Sequence, residues 1–325
     1  MIRVGIVGTG EFAAVHAGCW QSIRGVRLTA VTGTYPPRVT EFARRFGILT
    51  CDDMEGIIDQ CDLIDVVSQN HLHFSQSLEA IDAGCHLLVE KPVATDSRRA
   101  EQLAAAAYER GICSGAVHQV RYTDAALALK RTVQSGSIGT PEWIQIECGW
   151  PRTDRYYRDN GGWRSDCRKA GGGVLMHQFI HYLDLAIWLF GEMTDIESCT
   201  MLMDPDFGID RSFQAEAIFG KQVTARLAGS TLSDAHAGKT VTVTGTRGEI
   251  QLKANRIWHR PLSEPGFIES LQLNAGDPLQ RLMTQFVRSI QLRHAFSPSI
   301  DDGVRCLRAV ERLYQTAEKE MQTAS

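Results

Sequence analysis

Val4-Gly5-Ile6-Val7-Gly8-Thr9-Gly10-Glu11-Phe12-Ala13 is the stretch on which the reading of the fold turns. Its first four residues form a short apolar run of strand character. The glycines at 8 and 10 then stand where a chain must turn tightly and let a pyrophosphate approach the backbone, while Ala13 lets the following helix pack close to its strand. A helix opening at Glu11 and Phe12 aims its first amide groups at such an anion. Gly8, Gly10, Glu11 and Phe12 are therefore the candidate dinucleotide-binding positions.

Working outward, apolar runs at 4–7, 28–32, 63–67, 86–89 and 112–116 alternate with amphipathic stretches at 39–46, 73–83 and 97–109. Repeated strand and helix units of this kind predict a doubly wound parallel α/β sheet of Rossmann type over residues 1–120. Asp96 and Ser97 offer N-caps for the last of these helices, and Gly111 closes it. Beyond residue 120 the texture changes to longer β runs at 143–148, 215–219, 223–228 and 240–244, joined by short turns. These predict a second, α+β domain over 121–325 built on a large, mostly antiparallel, open-faced sheet, with helices over 174–190, 279–293 and 301–321.

Two domains suit a chain of 325 residues. A net charge of −4, with no basic run interleaved with aromatics, argues against a nucleic-acid partner. The expectation is also of no membrane partner, no uncharged apolar stretch reaching the roughly 20 residues that a spanning helix needs. Nine cysteines scattered singly, with no C-x-x-C pair, suit reduced thiols in a cytoplasmic protein.

Three further segments carry chemistry. The second strand ends Ala30-Val31-Thr32-Gly33-Thr34-Tyr35, without the carboxylate that usually binds the adenosine ribose of NAD. Thr34 and Arg38 can supply a hydroxyl and a positive charge to a 2′-phosphate, which favours NADP over NAD; an ordinary ribose on Thr34 is the alternative. Val89-Glu90-Lys91-Pro92 lies at the carboxyl end of a parallel strand, where ligands of open α/β sheets gather, so Lys91 can stabilise a developing alkoxide. In Gly171-Gly172-Gly173-Val174-Leu175-Met176-His177-Gln178-Phe179-Ile180-His181-Tyr182-Leu183-Asp184, three glycines release the chain into a helix. His177 and His181 there stand four apart on one face, and Asp184 is near enough to orient an imidazole. Proton exchange is the favoured reading of the pair. Zinc is the rival, but no third ligand appears at a recognisable spacing and no metal is expected.

Together these segments resemble, across essentially the whole chain, the Gfo/Idh/MocA oxidoreductases, and Val241–Leu252 is similar to that family's "GTKG" hairpin. The resemblance implies that Lys91 positions substrate and polarises the reacting oxygen while His181 relays its proton. The position four before that histidine usually holds Asp or Asn in the family; here it is His177, a second titrating group. The resemblance also sets Asn70, His73 and Glu90 beside the cofactor and places Gln119 and Arg121 in a stretch bordering cofactor and substrate. In the aromatic and arginine loop Tyr156-Tyr157-Arg158-Asp159-Asn160-Gly161-Gly162-Trp163-Arg164, Trp163 and Arg164 would approach nicotinamide or substrate, and Tyr157 the substrate.

The implied activity is an NAD(P)-dependent oxidoreductase moving a hydride between the nicotinamide and a carbinol or carbonyl carbon of a sugar, sugar derivative or cyclitol. A non-catalytic NAD(P)-binding regulator of the same fold is the alternative, and a proton relay at Lys91 and His181 weighs against it. A homodimer or homotetramer through an apolar open face of the C-terminal sheet is expected by analogy of fold.

Overall fold

The computed structural model describes residues 1–232, 238–253, 256–261, 268–272 and 276–324. Its chain divides into two compact units. Met1–Gln119 with Asp277–Leu307 make the first, and Val120–Gly276 with Arg308–Ser325 the second.

In the first unit, β1 (Ile2–Val7), α1 (Glu11–Ser22), β2 (Val26–Thr32), α2 (Pro36–Phe46), β3 (Leu49–Thr50) and α3 (Met54–Ile58) precede β4 (Leu63–Val66), α4 (Asn70–Asp82), β5 (His86–Glu90), α5 (Ser97–Arg110) and β6 (Ser114–Val117). The strands pair in parallel in the order β3-β2-β1-β4-β5-β6. β1 thus lies where successive crossovers part to opposite sides, the place at which open α/β sheets bind ligands. Strands covered on both faces need continuous apolar runs, and the central residues Val4, Ile6, Leu63, Ile64, Leu87 and Val89 are fully buried. Each such side chain stabilises the fold by roughly 1.5–3 kcal/mol. Asp96 caps α5 by accepting the Arg99 N–H at 2.9 Å, and Gly111 ends it in a left-handed conformation at φ 65°, both as the sequence predicts.

The second unit carries α6 (Asp124–Gln134), β7 (Pro141–Gly149), α7 (Asp154–Arg158), α8 (Cys167–Ala170) and α9 (Ile180–Phe190), then β8 (Met193–Met203), β9 (Asp210–Phe219), β10 (Val223–Ser230), β11 (Lys239–Gly245), β12 (Gly248–Lys253), β13 (Arg256–Pro261) and β14 (Ile268–Gln272). The strand order is β14-β13-β12-β11-β7-β10-β9-β8, antiparallel except for the parallel pair of β7 and β10. Alternation sets the two faces apart. Ile144, Ile146, Val241, Val243, Ile250, Ala225 and Leu227 are buried on one side. Gln145, Thr242, Thr244, Gln251 and the 44% exposed Trp143 stand on the other. The open face is therefore mostly polar, which corrects the expectation that it is apolar.

A single domain boundary near residue 120 misses the return of the chain. Helix α10 (Pro278–Leu292) packs on β6 and α1 of the first unit, and Phe286 meets Phe296 edge-on at 4.8 Å. Helix α11 (Ile300–Ala324) belongs to the first unit up to Leu307 and to the second from Arg308. By length and composition Cys167–Phe190 is long and apolar enough to cross a membrane, but Arg168, Lys169 and Asp184 lie within it, so it is not the uncharged stretch whose absence the sequence led us to expect. It is 78% buried in the fold, and the left-handed Gly171 interrupts it, so core packing accounts for its composition.

Candidate active site

The turn after β1 is shaped by contact. Gly8 sits at φ 128°, and a Cβ there would lie 2.4 Å from the Val67 carbonyl oxygen that follows β4, so only glycine closes the switch point. Gly10, by contrast, has open space where its Cβ would be. It is the N-cap of α1 without a side-chain hydrogen bond, which leaves the amides of the first helical turn available. A tight glycine, an open glycine and an uncapped helix end fit a pyrophosphate. Glu11 and the 42% exposed Phe12 border this opening, and Thr34 and Arg38 are exposed beyond the end of β2.

Beneath the turn lies a buried charge network that the sequence reading missed. His16 of α1 places Nδ1 2.8 Å from Asp65 Oδ2 and Nε2 3.1 Å from Glu90 Oε1, and all three residues are buried. Both partners are carboxylates, so the ring satisfies them only by carrying both protons. Burial is the largest influence and pushes the imidazole pKa down, but attraction and hydrogen bonds from Asp65 and Glu90 overcome it and raise it to about 10. Trp20 Nε1 also donates to Asp65 Oδ2, at 2.6 Å. The other Glu90 oxygen accepts the Lys91 N–H at 3.1 Å, which ties the loop carrying Lys91 to the glycine-turn helix. Glu90 was expected beside the cofactor; its carboxylate is instead spent within this network, because two buried acids require a cation.

His73 receives the same correction. It is buried, with Nδ1 2.7 Å from the Pro92 carbonyl oxygen and Nε2 3.1 Å from that of Ser68. Burial holds it below its ordinary pKa, so the neutral ring donates to the nearer carbonyl of Pro92 and braces the Lys91 loop from the other side. Lys91 itself is half-buried on this doubly fixed loop. Asn70 opens α4 and is buried at its first residue. Gln119 ends the first unit with a buried Oε1 that finds no hydrogen-bond partner among the described residues.

In the second unit, the three glycines answer to Asp210 of β9. Its carboxylate accepts the Gly173 N–H at 2.6 Å, the Leu175 N–H at 2.8 Å and the Tyr314 hydroxyl at 2.6 Å. A Cβ on Gly173 would lie 1.9 Å from the Asp210 carbonyl oxygen, so the close approach requires glycine. Burial pushes the Asp210 carboxyl above its ordinary pKa, and the three donors pull it back.

From this clamp the chain enters a π-helical turn over Leu175–Phe179, marked by the Ile180 N–H bonding to the Leu175 carbonyl five residues back, before α9 begins. The sequence expectation of one continuous α-helix is corrected here: His177 lies in the wide turn and His181 in α9, so four-residue spacing does not stack them as an α-helix would. Turns of this kind recur at functional sites. His177 is buried and meets Trp163 at a tilt, with ring centroids 5.6 Å apart, while His181 is half-buried.

Three other expectations are revised in this unit. The Asp184 carboxylate, expected near an imidazole, takes the Arg121 guanidinium in a buried fork, at 2.7 Å from Nε and 2.5 Å from Nη2. Arg121, expected to bind substrate, is 3% exposed in this pair because burying a guanidinium requires a carboxylate against it. Tyr157, expected to meet substrate, is 1% exposed, donates to Thr231 Oγ1 at 3.1 Å and lies beneath the Arg211 guanidinium. Its neighbour Tyr156 is half-buried instead, and accepts a hydrogen bond from Gln178 Nε2 at 3.2 Å.

His16, Asp210, Tyr314 and Gln178 escaped the sequence reading because their partners are 22 to 141 residues away. Asp65 alone left a signal: a carboxylate inside the apolar strand Leu63-Ile64-Asp65-Val66 must find a partner.

A parallel sheet with a glycine turn and an uncapped helix end at its switch point, followed by a mostly antiparallel sheet that bears a histidine turn, defines a two-unit dinucleotide-binding oxidoreductase fold. The oxidoreductase-family model with an NAD-binding Rossmann fold matches residues 2–117, and the model of the GFO/IDH/MocA C-terminal domain matches 126–251. The chain belongs to the Gfo/Idh/MocA family. It is 25% identical over 221 residues to levoglucosan dehydrogenase of Pseudarthrobacter phenanthrenivorans, covering 63% of this chain and 55% of that one. It is 28% identical over 200 residues to D-glucoside 3-dehydrogenase of Escherichia coli, covering 58% and 54%. The matched region thus spans about half the length of these curated relatives. In fold it is similar to a solved levoglucosan dehydrogenase in complex with NADH and L-sorbose, with a TM-score of 0.89, 20% identity, and 98% and 97% of the two chains covered.

Proposed function

We propose that the chain is an NAD(P)-dependent oxidoreductase that moves a hydride between the nicotinamide and a carbinol or carbonyl carbon of a sugar, sugar derivative or cyclitol. The observation that carries this reading is the junction in the first unit of an open, uncapped pyrophosphate turn with a lysine loop, joined through His16 and Glu90. The sugar dehydrogenase names of the relatives support the substrate class.

The cofactor, when bound, supplies the hydride acceptor or donor. Gly8, Gly10 and the first turn of α1 would hold its phosphates. In the oxidative direction the substrate C–H gives up its hydride and the hydroxyl its proton. Lys91 Nζ stabilises the oxygen as negative charge develops, and the His181 imidazole takes the proton. Thr34 and Arg38, without a carboxylate at the end of β2, favour NADP over NAD. If so, Arg38→Ala raises the KM for NADP more than that for NAD; equal changes in both would remove the preference. Nine thiols suit a reducing, cytoplasmic setting. Self-association, proposed by analogy of fold alone, is tested by light scattering, and a strict monomer would count against it.

The activity is tested by absorbance at 340 nm over a panel of sugars and cyclitols with each cofactor. Turnover of a polyol is the expected result. Tight NAD(P) binding with no turnover across the panel would turn the reading to a regulator.

A further inference from the structure

The loop of the second unit between β7 and the π-helical turn carries more positive charge than its own carboxylates can meet. Residues 152–169 include Arg152, Arg155, Arg158, Arg164, Arg168 and Lys169 against Asp154, Asp159 and Asp166. Each acid is already engaged: Asp159 with Arg155 at 3.6 Å, Asp166 with Arg168 at 3.2 Å, and Asp154 with the buried Arg211 at 3.7 Å. Arg152 and Arg164 have no carboxylate partner among the described residues. Both rest on one ring, each guanidinium 4.8 Å from the centroid of Tyr156.

The backbone beneath these two arginines is fixed. The Arg152 N–H donates to the Thr231 carbonyl at 2.9 Å, and its own carbonyl accepts from Arg211 Nη2 at 3.2 Å. Arg164 leaves a tight turn closed by the Ser165 hydroxyl donating to the Gly162 carbonyl at 2.7 Å. The same cluster runs on to the histidine turn. Arg164 lies 4.7 Å over Trp163, and the Trp163 ring meets that of His177 at a tilt with centroids 5.6 Å apart, so the guanidinium is within about 10 Å of that imidazole. Gln178 joins the Tyr156 hydroxyl to the same turn, and its Oε1 is buried with no hydrogen-bond partner among the described residues.

We infer that Arg152 and Arg164, seated on Tyr156, form an anion-recognising subsite, and that the substrate is a monosaccharide bearing a phosphate or carboxylate group. This rests on the sugar oxidoreductase reading above. A guanidinium laid on an aromatic face keeps its planar N–H fork directed outward, where it pairs with the oxygens of a phosphate or carboxylate. A neutral polyol has no use for two uncompensated guanidiniums, since its hydroxyls bind equally well to amides and carboxylates. The reach from Arg164 to His177 suits one monosaccharide that places its charged end at the arginines and a carbinol toward the histidines.

The test compares glucose, galactose and mannose, each as free sugar, 6-phosphate and uronate, with NAD and NADP on the full-length protein. At least one charged form is expected to exceed its neutral parent in kcat/KM by roughly 10- to 100-fold, through KM, with the advantage shrinking as salt rises. The phosphate and uronate arms identify which group is read. In Arg164→Gln and Arg152→Gln that ratio collapses toward one, and Arg164→Lys restores part of it. Equal kcat/KM for charged and neutral sugars, with a ratio the arginine variants do not move, overturns the subsite and leaves the oxidoreductase reading standing. If no sugar turns over, calorimetric titration of the NADH-loaded protein with the same 6-phosphates and uronates decides. Binding lost in Arg164→Gln keeps the subsite and rejects the oxidoreductase reading, and no binding of any charged sugar overturns the subsite.

Discussion

Replacing His16 by glutamine tests the buried network by its dependence on pH. The folded protein holds the imidazole at a pKa of about 10, against 6.5 for the group in water. Below pH 6.5 both folded and unfolded chains carry the proton, and the stabilisation is fully present. Between pH 6.5 and 10 only the folded chain does, so stability is lost as pH rises through this window, at about 1.4 kcal/mol per pH unit. Because His16 is fully buried, solvent screening takes little away, and the whole window is linked to about 5 kcal/mol. His16→Gln fills similar space and retains a donor, but brings no cation to Asp65 and Glu90. Urea unfolding of both proteins at pH 6, 7, 8 and 9 should show the wild type ahead by several kcal/mol at pH 6. That lead should shrink by about 3–4 kcal/mol at pH 9. A lead that stays constant across the four pH values would show that the imidazole is not held protonated, and the account of how the Lys91 loop is fixed would fail with it.

Two further tests concern contacts. Gly8→Ala forces a Cβ to 2.4 Å from a backbone carbonyl and should destabilise the first unit by several degrees in Tm, whereas Gly10→Ala meets nothing within 4 Å. Gly10→Ala should therefore melt with the wild type yet bind NAD(P)H more weakly by fluorescence titration, and unchanged affinity would remove the pyrophosphate from that opening. Arg121→Met or Asp184→Asn alone should cost about 3–5 kcal/mol by stranding a buried charge, and the double substitution less than their sum. Additive losses in denaturant melts would contradict a structural pair.

The Rossmann unit was legible because its signals are local: apolar runs bounded by turns, an N-cap at Asp96 and glycines where the backbone must bend. The boundaries suffered where periodicity fails. β3 is two residues long, and β8 mixes polar and apolar residues while its register shifts three times against β9, so neither shows an alternating pattern. No local feature of Asp277–Leu307 says which sheet those residues will cover, because that depends on the fully folded chain. At the candidate site, residue types near motifs were readable while their obligations were not. Glu90, His73, Arg121 and Tyr157 lie in the segments that the sequence singled out, but buried partners claim their polar atoms. The π-helical turn was invisible because the spacing of its own residues reads equally well as an α-helix.

The proposal that Lys91 and His181 serve one and the same bond-making step is tested most directly by a double-mutant cycle on kcat. Measured at saturating cofactor with the best substrate of the panel, Lys91→Met and His181→Gln should each lower turnover by about 10²- to 10⁴-fold, with NADH affinity nearly unchanged. The double variant should fall little further than the worse single one, as groups acting as a unit do. A double loss equal to the product of the single losses, or near-normal turnover in either single variant, would contradict the account.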